Sequence, residues 1–241
     1  MDHTVNKFKS YEIREYQILD STNLHAKRLL DDGLQDNVVI VANSQTAGRG
    51  RGNRVWVSDE GNLFFTIVID AKKINPPEIA SYIAAISVSN AIKNLGPTPV
   101  VKWPNDVLIE EKKVCGILVE SYKKALVIGI GVNVNSCPEY LEGNRKACAL
   151  KSFVSDIDTE KFLQMILSGF DYEVEAYGKN GFTPLRQKII ENLYRFNEDV
   201  ELDYLGEKIS GRIIDISPCG DIVIETEEGN KEYRTGEIFD L

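Results

Sequence analysis

The chain has 241 residues, 43% apolar and 27% charged, with 37 acidic against 28 basic side chains and a formal net charge of -9. This composition excludes a disordered or low-complexity protein, and no apolar run approaches the roughly 18 uncharged residues that a membrane helix needs. The acidic balance argues against broad nucleic-acid binding, which depends on a basic surface.

The length suits one substantial domain, or a main domain with a small appendage. Residues 1–10 (MDHTVNKFKS) carry no apolar signal core, so a cytoplasmic location is expected. Residues 13–19 alternate like a strand, and Ser21 or Thr22 can cap a helix that stops at Gly33. Residues 37–45 and 62–70 read as buried strands, which makes the glycine- and arginine-rich stretch between them a strand-to-strand connection.

A helix is predicted over 77–95, with Ile79, Ile83, Ile86, Val88 and Ile92 near helical spacing and Gly96-Pro97 as its stop. Apolar runs with charged interruptions at 110–113 and 122–124 then predict an antiparallel meander. From Thr159, Phe162, Leu163, Ile166, Leu167, Phe170, Val174 and Tyr177 fall on one helical face, and a second helix fits 184–195. After Phe196, short strands separated by turn residues suggest a small all-β barrel of about 45 residues. The expected domains are therefore 1–195 and 196–241.

Cysteines at 115, 137, 148 and 219 form no Cys-x-x-Cys pair, and His3 and His25 are the only histidines, so a zinc cluster is not expected. A Ser-His-Asp mechanism is equally disfavoured. Any chemistry must lean on Lys, Arg, Asp and backbone dipoles.

TAGRGRGNRVWVS, residues 46–58, sets Arg49, Arg51 and Arg54 among Gly48, Gly50 and Gly52 and leads to Trp56, with nothing acidic between Gln45 and Val57. Glycine lets backbone N–H groups approach an anion, and arginine offers a fixed fork of donors for carboxylate or phosphate. Three readings stay open: an exposed hairpin, an arginine-glycine segment for RNA, or a nucleotide or phosphate cradle. It is not a Walker loop, because the Gly-Lys-Ser/Thr ending is missing. In VVKWPNDVLI, Pro104 interrupts ladder pairing and presents Lys102, Asn105 and Asp106, either as a simple turn or as a place where Asp106 holds Mg²⁺ or orients a lysine. KKVCGILVE puts Lys112 and Lys113 at a turn, with Gly116 permitting close packing. GIGVNVN leaves Gly129 and Gly131 where strand side chains would pack, so a flat ligand could lie there, and Asn133 is either a turn cap or a ligand donor.

In order, STN at 21–23, QTAGRGRGNRVWVS at 45–58, KWPNDV at 102–107, KKVCGILVE at 112–120 and GIGVNVN at 129–135, followed by a small β domain, resemble the biotin protein ligases. Many members carry Gly where Asn53 stands here. The resemblance implies an α+β fold: a class II synthetase-like catalytic domain of the biotin/lipoate ligase type, with a mixed, largely antiparallel sheet and flanking helices, plus a C-terminal SH3-like β-barrel. It implies ATP and biotin as substrates with Mg²⁺, formation of biotinyl-5'-AMP, and transfer of biotin to a lysine of a biotin carboxyl carrier protein. Such chemistry is largely positioning and charge neutralisation, so a site without a catalytic histidine is coherent.

Carried over by position, the resemblance places Ser21, Thr22, Asn23, Gln45, Gly48, Arg49, Gly50, Arg51, Lys113 and Gly116 at biotin. Arg49, Arg51, Arg54, Trp56, Lys102, Asn105, Asp106, Lys113 and Asn133 would serve ATP or the adenylate, with Asp106 as a metal ligand and Lys113 and Arg51 as catalytic residues. Arg51 would help to hold the acyl-adenylate until a carrier arrives. Some larger members carry a winged-helix DNA-binding domain; about 20 residues precede Ser21, so no repressor activity, no nucleic-acid partner and no membrane partner are expected, whereas a homodimer is compatible. The nearest rival is a lipoate or octanoate ligase or transferase, which would carry a different substrate loop; a non-catalytic RNA-binding module is the rival from another class.

Overall fold

The computed structural model describes residues 3–34, 36–139 and 146–240. A hairpin of β1 (Thr4–Phe8) and β2 (Tyr11–Leu19) opens the chain, and α1 (Thr22–Asp31) carries it to β3 (Val38–Gln45), which runs parallel to β2. There follow β4 (Leu63–Asp70), α2 (Ile79–Asn94), β5 (Pro99–Lys102), β6 (Asp106–Ile109), β7 (Lys112–Tyr122) and β8 (Ala125–Val132). These strands form one eight-stranded sheet in the order β1-β2-β3-β4-β8-β7-β6-β5, antiparallel at every ladder except β2–β3. The expected meander is therefore its β5–β8 half.

Alternation decides what each face does. On β4, Leu63, Phe65, Ile67 and Ile69 point to one side, and on β8 Leu126, Ile128, Ile130 and Val132 do the same, joining the core that α2 and α3 (Thr159–Asn180) cover. Almost all of α2 is buried, because it lies between the sheet and α3. The opposite face is smaller: Ile40, Ala42, Val68, Ala125 and Val127 pack under Ala26 of α1. Further along the same face of β8 stand Gly129 and Gly131, where the side-chain layer stops.

Helix α4 (Thr183–Glu191) ends earlier than the sequence pattern suggests, since Asn192 to Tyr194 turn to the edge of the sheet. Val101 N–H donates to Asn192 O at 2.7 Å and Tyr194 N–H to Val101 O at 2.9 Å. Strand β1 was not foreseen; its side chains are mostly exposed, so no apolar alternation marks it. Beyond α4, β9 (Asp199–Tyr204), β10 (Glu207–Ile216), β11 (Ile222–Thr226), β12 (Gly229–Tyr233) and β13 (Glu237–Asp240) form an antiparallel sheet in the order β12-β11-β10-β9-β13. The expected SH3-like barrel is not closed among the described residues: no ladder joins β12 to β13, so this five-stranded sheet has two edges. None of the described helices is long and apolar enough to cross a membrane.

Candidate functional site

The face with the missing side chains holds a cavity of about 270 Å³, walled by the N-terminus of α1, the 46–58 connection and strands β6, β7 and β8. Its floor follows from register. Asp106 on β6 pairs with Gly116 on β7, which pairs with Gly131 on β8; one row on, Leu118 faces Gly129. A Cβ on Gly131 would lie 2.4 Å from Trp56 Nε1, and one on Gly116 2.7 Å from Trp56 Cζ3. A flat ligand was expected against Gly129 and Gly131; in the structure the Trp56 indole lies against Gly131 and Gly116, and Gly129 faces Asn23. Trp56 Nε1 is buried with no hydrogen-bond acceptor among the described residues, a situation that costs about 1–3 kcal/mol.

The connection is itself a small hairpin. Trp56 N–H donates to Gly48 O at 3.0 Å, Gly50 N–H to Arg54 O at 2.8 Å, and Arg49 bridges to Val55. Its base is pinned because Thr46 and Ala47 N–H groups donate to Leu19 and Asp20 carbonyls. Of the three readings open in the sequence, the hairpin describes the backbone, while its arginines still face the cavity. Arg51 Nη2 donates to Thr235 Oγ1 at 2.8 Å, and its Nη1 lies 3.3 Å from both Asn105 Oδ1 and Gly236 O. Arg54 pairs with Glu237. Burial opposes the Arg51 charge, although guanidinium stays protonated.

Lys113 owes its position to a bulge. The β6–β7 register passes from Val107↔Cys115 to Leu108↔Lys113, leaving Val114 as the extra residue. Simple alternation would send Lys113 to the face opposite Gly116; the bulge restores it to the cavity side. There Nζ lies 2.6 Å from Asp106 Oδ1 and 5.2 Å from the Trp56 ring centroid. Lys113, placed at a turn by the sequence, is therefore largely buried, with 17% of its side chain exposed.

The N-terminus of α1 supplies the opposite end. Ser21 caps the helix, with Leu24 N–H donating to its Oγ at 3.5 Å, and the Thr22 backbone N–H and hydroxyl both donate to Gln45 Oε1. Gln45 Nε2 donates in turn to Ser58 Oγ at 2.8 Å. Asn23 is buried, its Oδ1 accepting from Thr66 at 2.7 Å and its Nδ2 donating to Glu120 Oε2 at 2.9 Å.

Most of the expected residues meet here: Ser21, Thr22, Asn23, Gln45, Arg49, Gly50, Arg51, Arg54, Trp56, Asn105, Asp106, Lys113 and Gly116 all line the cavity. Three do not. Gly48 lies within the hairpin's own ladder, its carbonyl accepting from Trp56 N–H. Lys102 places its ammonium 5.5 Å from the Tyr194 ring centroid. Asn133 spends its amide on Cys148 O at 3.2 Å and Lys113 O at 3.4 Å, so of its two readings the structural cap fits. Ser58, Thr66, Glu120 and Thr235 to Glu237 were missed; only the period-2 row of Gly116, Leu118 and Glu120 on β7 offered a signal for any of them.

Comparison with known proteins gives a consistent result. The sequence profile of the Biotin/lipoate A/B protein ligase family matches residues 15–135. The bifunctional ligase/repressor BirA of Bacillus subtilis (strain 168) is 31% identical over 92% of this chain and 72% of its own. The biotin--[acetyl-CoA-carboxylase] ligase of Paracoccus denitrificans is 29% identical over 91% of this chain and 97% of its own. The solved biotin protein ligase from Aquifex aeolicus in complex with biotin and ATP superposes with a TM-score of 0.86 and 32% identity, covering 96% of this chain and 98% of that one.

Proposed function

The chain belongs to the biotin/lipoate A/B protein ligase family, and from that premise we infer that it condenses biotin with ATP to biotinyl-5'-AMP, releasing pyrophosphate, and then transfers the biotinyl group to a lysine of a carboxyl carrier protein. The observation that carries this reading is the convergence of Arg49, Arg51 and Lys113 on one small cavity. Two anions, the biotin carboxylate and the α-phosphate, must be brought together there, and their repulsion is the main obstacle to the first step. Lys113 adds a point charge at the meeting place and Arg51 a planar fork. Both are pre-oriented, Lys113 by Asp106 and Arg51 by Asn105 and Thr235, so little rearrangement is needed when charge develops.

The biotin end is assigned to the α1 terminus with Gln45, and the nucleotide end to Arg54, Trp56 and Asn105. Arg51 would also retain the adenylate until the acceptor lysine attacks its carbonyl carbon and AMP leaves. Mg²⁺ fits as an ion carried by the triphosphate: among the described residues Asp106 is the only carboxylate on the cavity wall, and no cluster of three ligating side chains exists. When bound, it would neutralise phosphate charge. The role given to Asp106 is to orient Lys113. Residues 1–195 would form the catalytic domain, and residues 196–241 an accessory domain that braces the hairpin.

ATP–pyrophosphate exchange with biotin, lipoate and octanoate tests the reading. Exchange that depends on biotin is expected. Exchange with lipoate alone would move the chain to the lipoate branch of the same family.

A further inference from the structure

Glu120 has no part in the chemistry described above, yet two segments of the site, α1 and the 46–58 hairpin, converge on it. It follows Gly116 and Leu118 along the cavity side of β7, directly opposite Val127 of β8. Its Oε2 accepts from Asn23 Nδ2 at 2.9 Å, and its Oε1 pairs with Lys27 Nζ at 2.7 Å. Arg49 Nη1 reaches both oxygens, at 3.3 and 3.5 Å. Only 18% of the side chain is exposed. Burial opposes the charge of this carboxyl, but hydrogen bonds from Lys27 and Asn23 and the charges of Lys27 and Arg49 outweigh it and hold the group below its ordinary value.

Each of these contacts fixes something the cavity needs. Asn23 sits so close to β8 that a Cβ on Gly129 would lie 2.3 Å from its Oδ1, so its rotamer shapes the wall at the α1 end. Arg49 is the first arginine of the hairpin, and Glu120 is the anion holding it toward that same end. The nucleotide end, formed by Arg54, Trp56 and Asn105, has no direct contact with Glu120 among the described hydrogen bonds.

We propose that Glu120 is a positioning residue for biotin: chiefly through Asn23, and through the Arg49 side that faces α1, it sets the biotin end of the cavity, and Arg54, Trp56 and Asn105 at the nucleotide end do not depend on it. The inference rests on the ligase reading above. Exchange kinetics with biotin and ATP varied separately, on the wild-type chain and on Glu120→Ala and Glu120→Gln, test it. Glu120→Ala is expected to raise KM for biotin about 10-fold while KM for ATP changes by less than about 2-fold. Glu120→Gln keeps an acceptor for Asn23 and loses the two ion pairs, so its KM for biotin should fall between the two. A general loss of structure would lower kcat through the folded fraction and would not separate the two KM values. If either variant melts like the wild type with an unchanged KM for biotin, or if both KM values rise together, Glu120 has no such role. An active wild type with these results overturns the inference alone; a wild type without biotin-dependent exchange overturns the ligase reading and the inference with it.

Discussion

The eight-stranded sheet shapes the cavity through its pleat: one row of residues across β6, β7 and β8 supplies Asp106, Gly116 and Gly131, and the next supplies Leu118 and Gly129. The C-terminal sheet meets the site differently, through Thr235, Gly236 and Glu237 at the start of β13, which hold Arg51 and Arg54. Both sheets are antiparallel at this point and both bury apolar side chains, but only the first has its geometry written into the cavity floor. The contrast separates making a site from bracing one. Substitutions on β7 and β8 should change the reaction itself, and those at 235–237 should change how firmly the hairpin is held.

The largest expected effect sharpens the first half of that contrast. Lys113→Ala removes the charge beside Asp106 and leaves a largely buried carboxylate without its cation, so pyrophosphate exchange should fall by about 100-fold or more. A wild-type exchange rate would remove Lys113 from the chemistry. Gly131→Ala comes next. Its methyl would overlap the Trp56 indole, so the hairpin must shift, and about a 10-fold loss of exchange with an altered tryptophan emission spectrum is expected. Unaltered emission and rate would mean that Trp56 leaves this seat without consequence.

Glu237→Ala probes the other sheet. Loss of the pair with Arg54 should raise KM for ATP by about 3-fold and leave kcat nearly unchanged. A fall in kcat comparable with that of Lys113→Ala would break the distinction between making and bracing. The smallest effect lies at the α1 entrance, where Arg28 forms a two-pronged pair with Asp20 and the Ser21 N–H adds a hydrogen bond. Together these hold the Asp20 carboxyl down to about 2. Because the folded-state value is depressed, the stabilisation is present above about pH 4 and is lost as pH falls toward 2. The pair is substantially exposed and screened, so Asp20→Asn should cost less than about 1 kcal/mol at neutral pH. Denaturant melts at pH 7 and near pH 2 should show that difference shrinking; a constant difference would assign the effect to something other than the charge.

Much of this was legible along the chain. The β5–β8 meander, the long helices and the hairpin-forming Gly/Arg stretch each follow from periodicity or turn chemistry within a few residues. Motif order placed thirteen of the sixteen expected side chains on the cavity wall. The departures have local causes. Asn133, next to a glycine-rich strand, could be read from sequence as a turn cap or a ligand donor; in the structure its amide donates to the neighbouring backbone at Lys113 and Cys148. Strand β1 lacks an apolar face, and the end of α4 is set by Val101 at the edge of the sheet.

By itself the sequence determined most of the strands and helices, β1 and the end of α4 excepted, and which stretches are rich in cations and glycines, because those properties depend on neighbours a few positions away. Only the tertiary structure decided the rest. The extra residue Val114 turns Lys113 toward Asp106, and this appears only once β7 is laid against β6. Glu120 reaches Asn23 across 97 positions, and Arg51 reaches Thr235 across 184. Contacts of that range leave no periodic trace in either segment. They exist because packing the sheet brings the partners within hydrogen-bonding distance, where a buried polar group must find one.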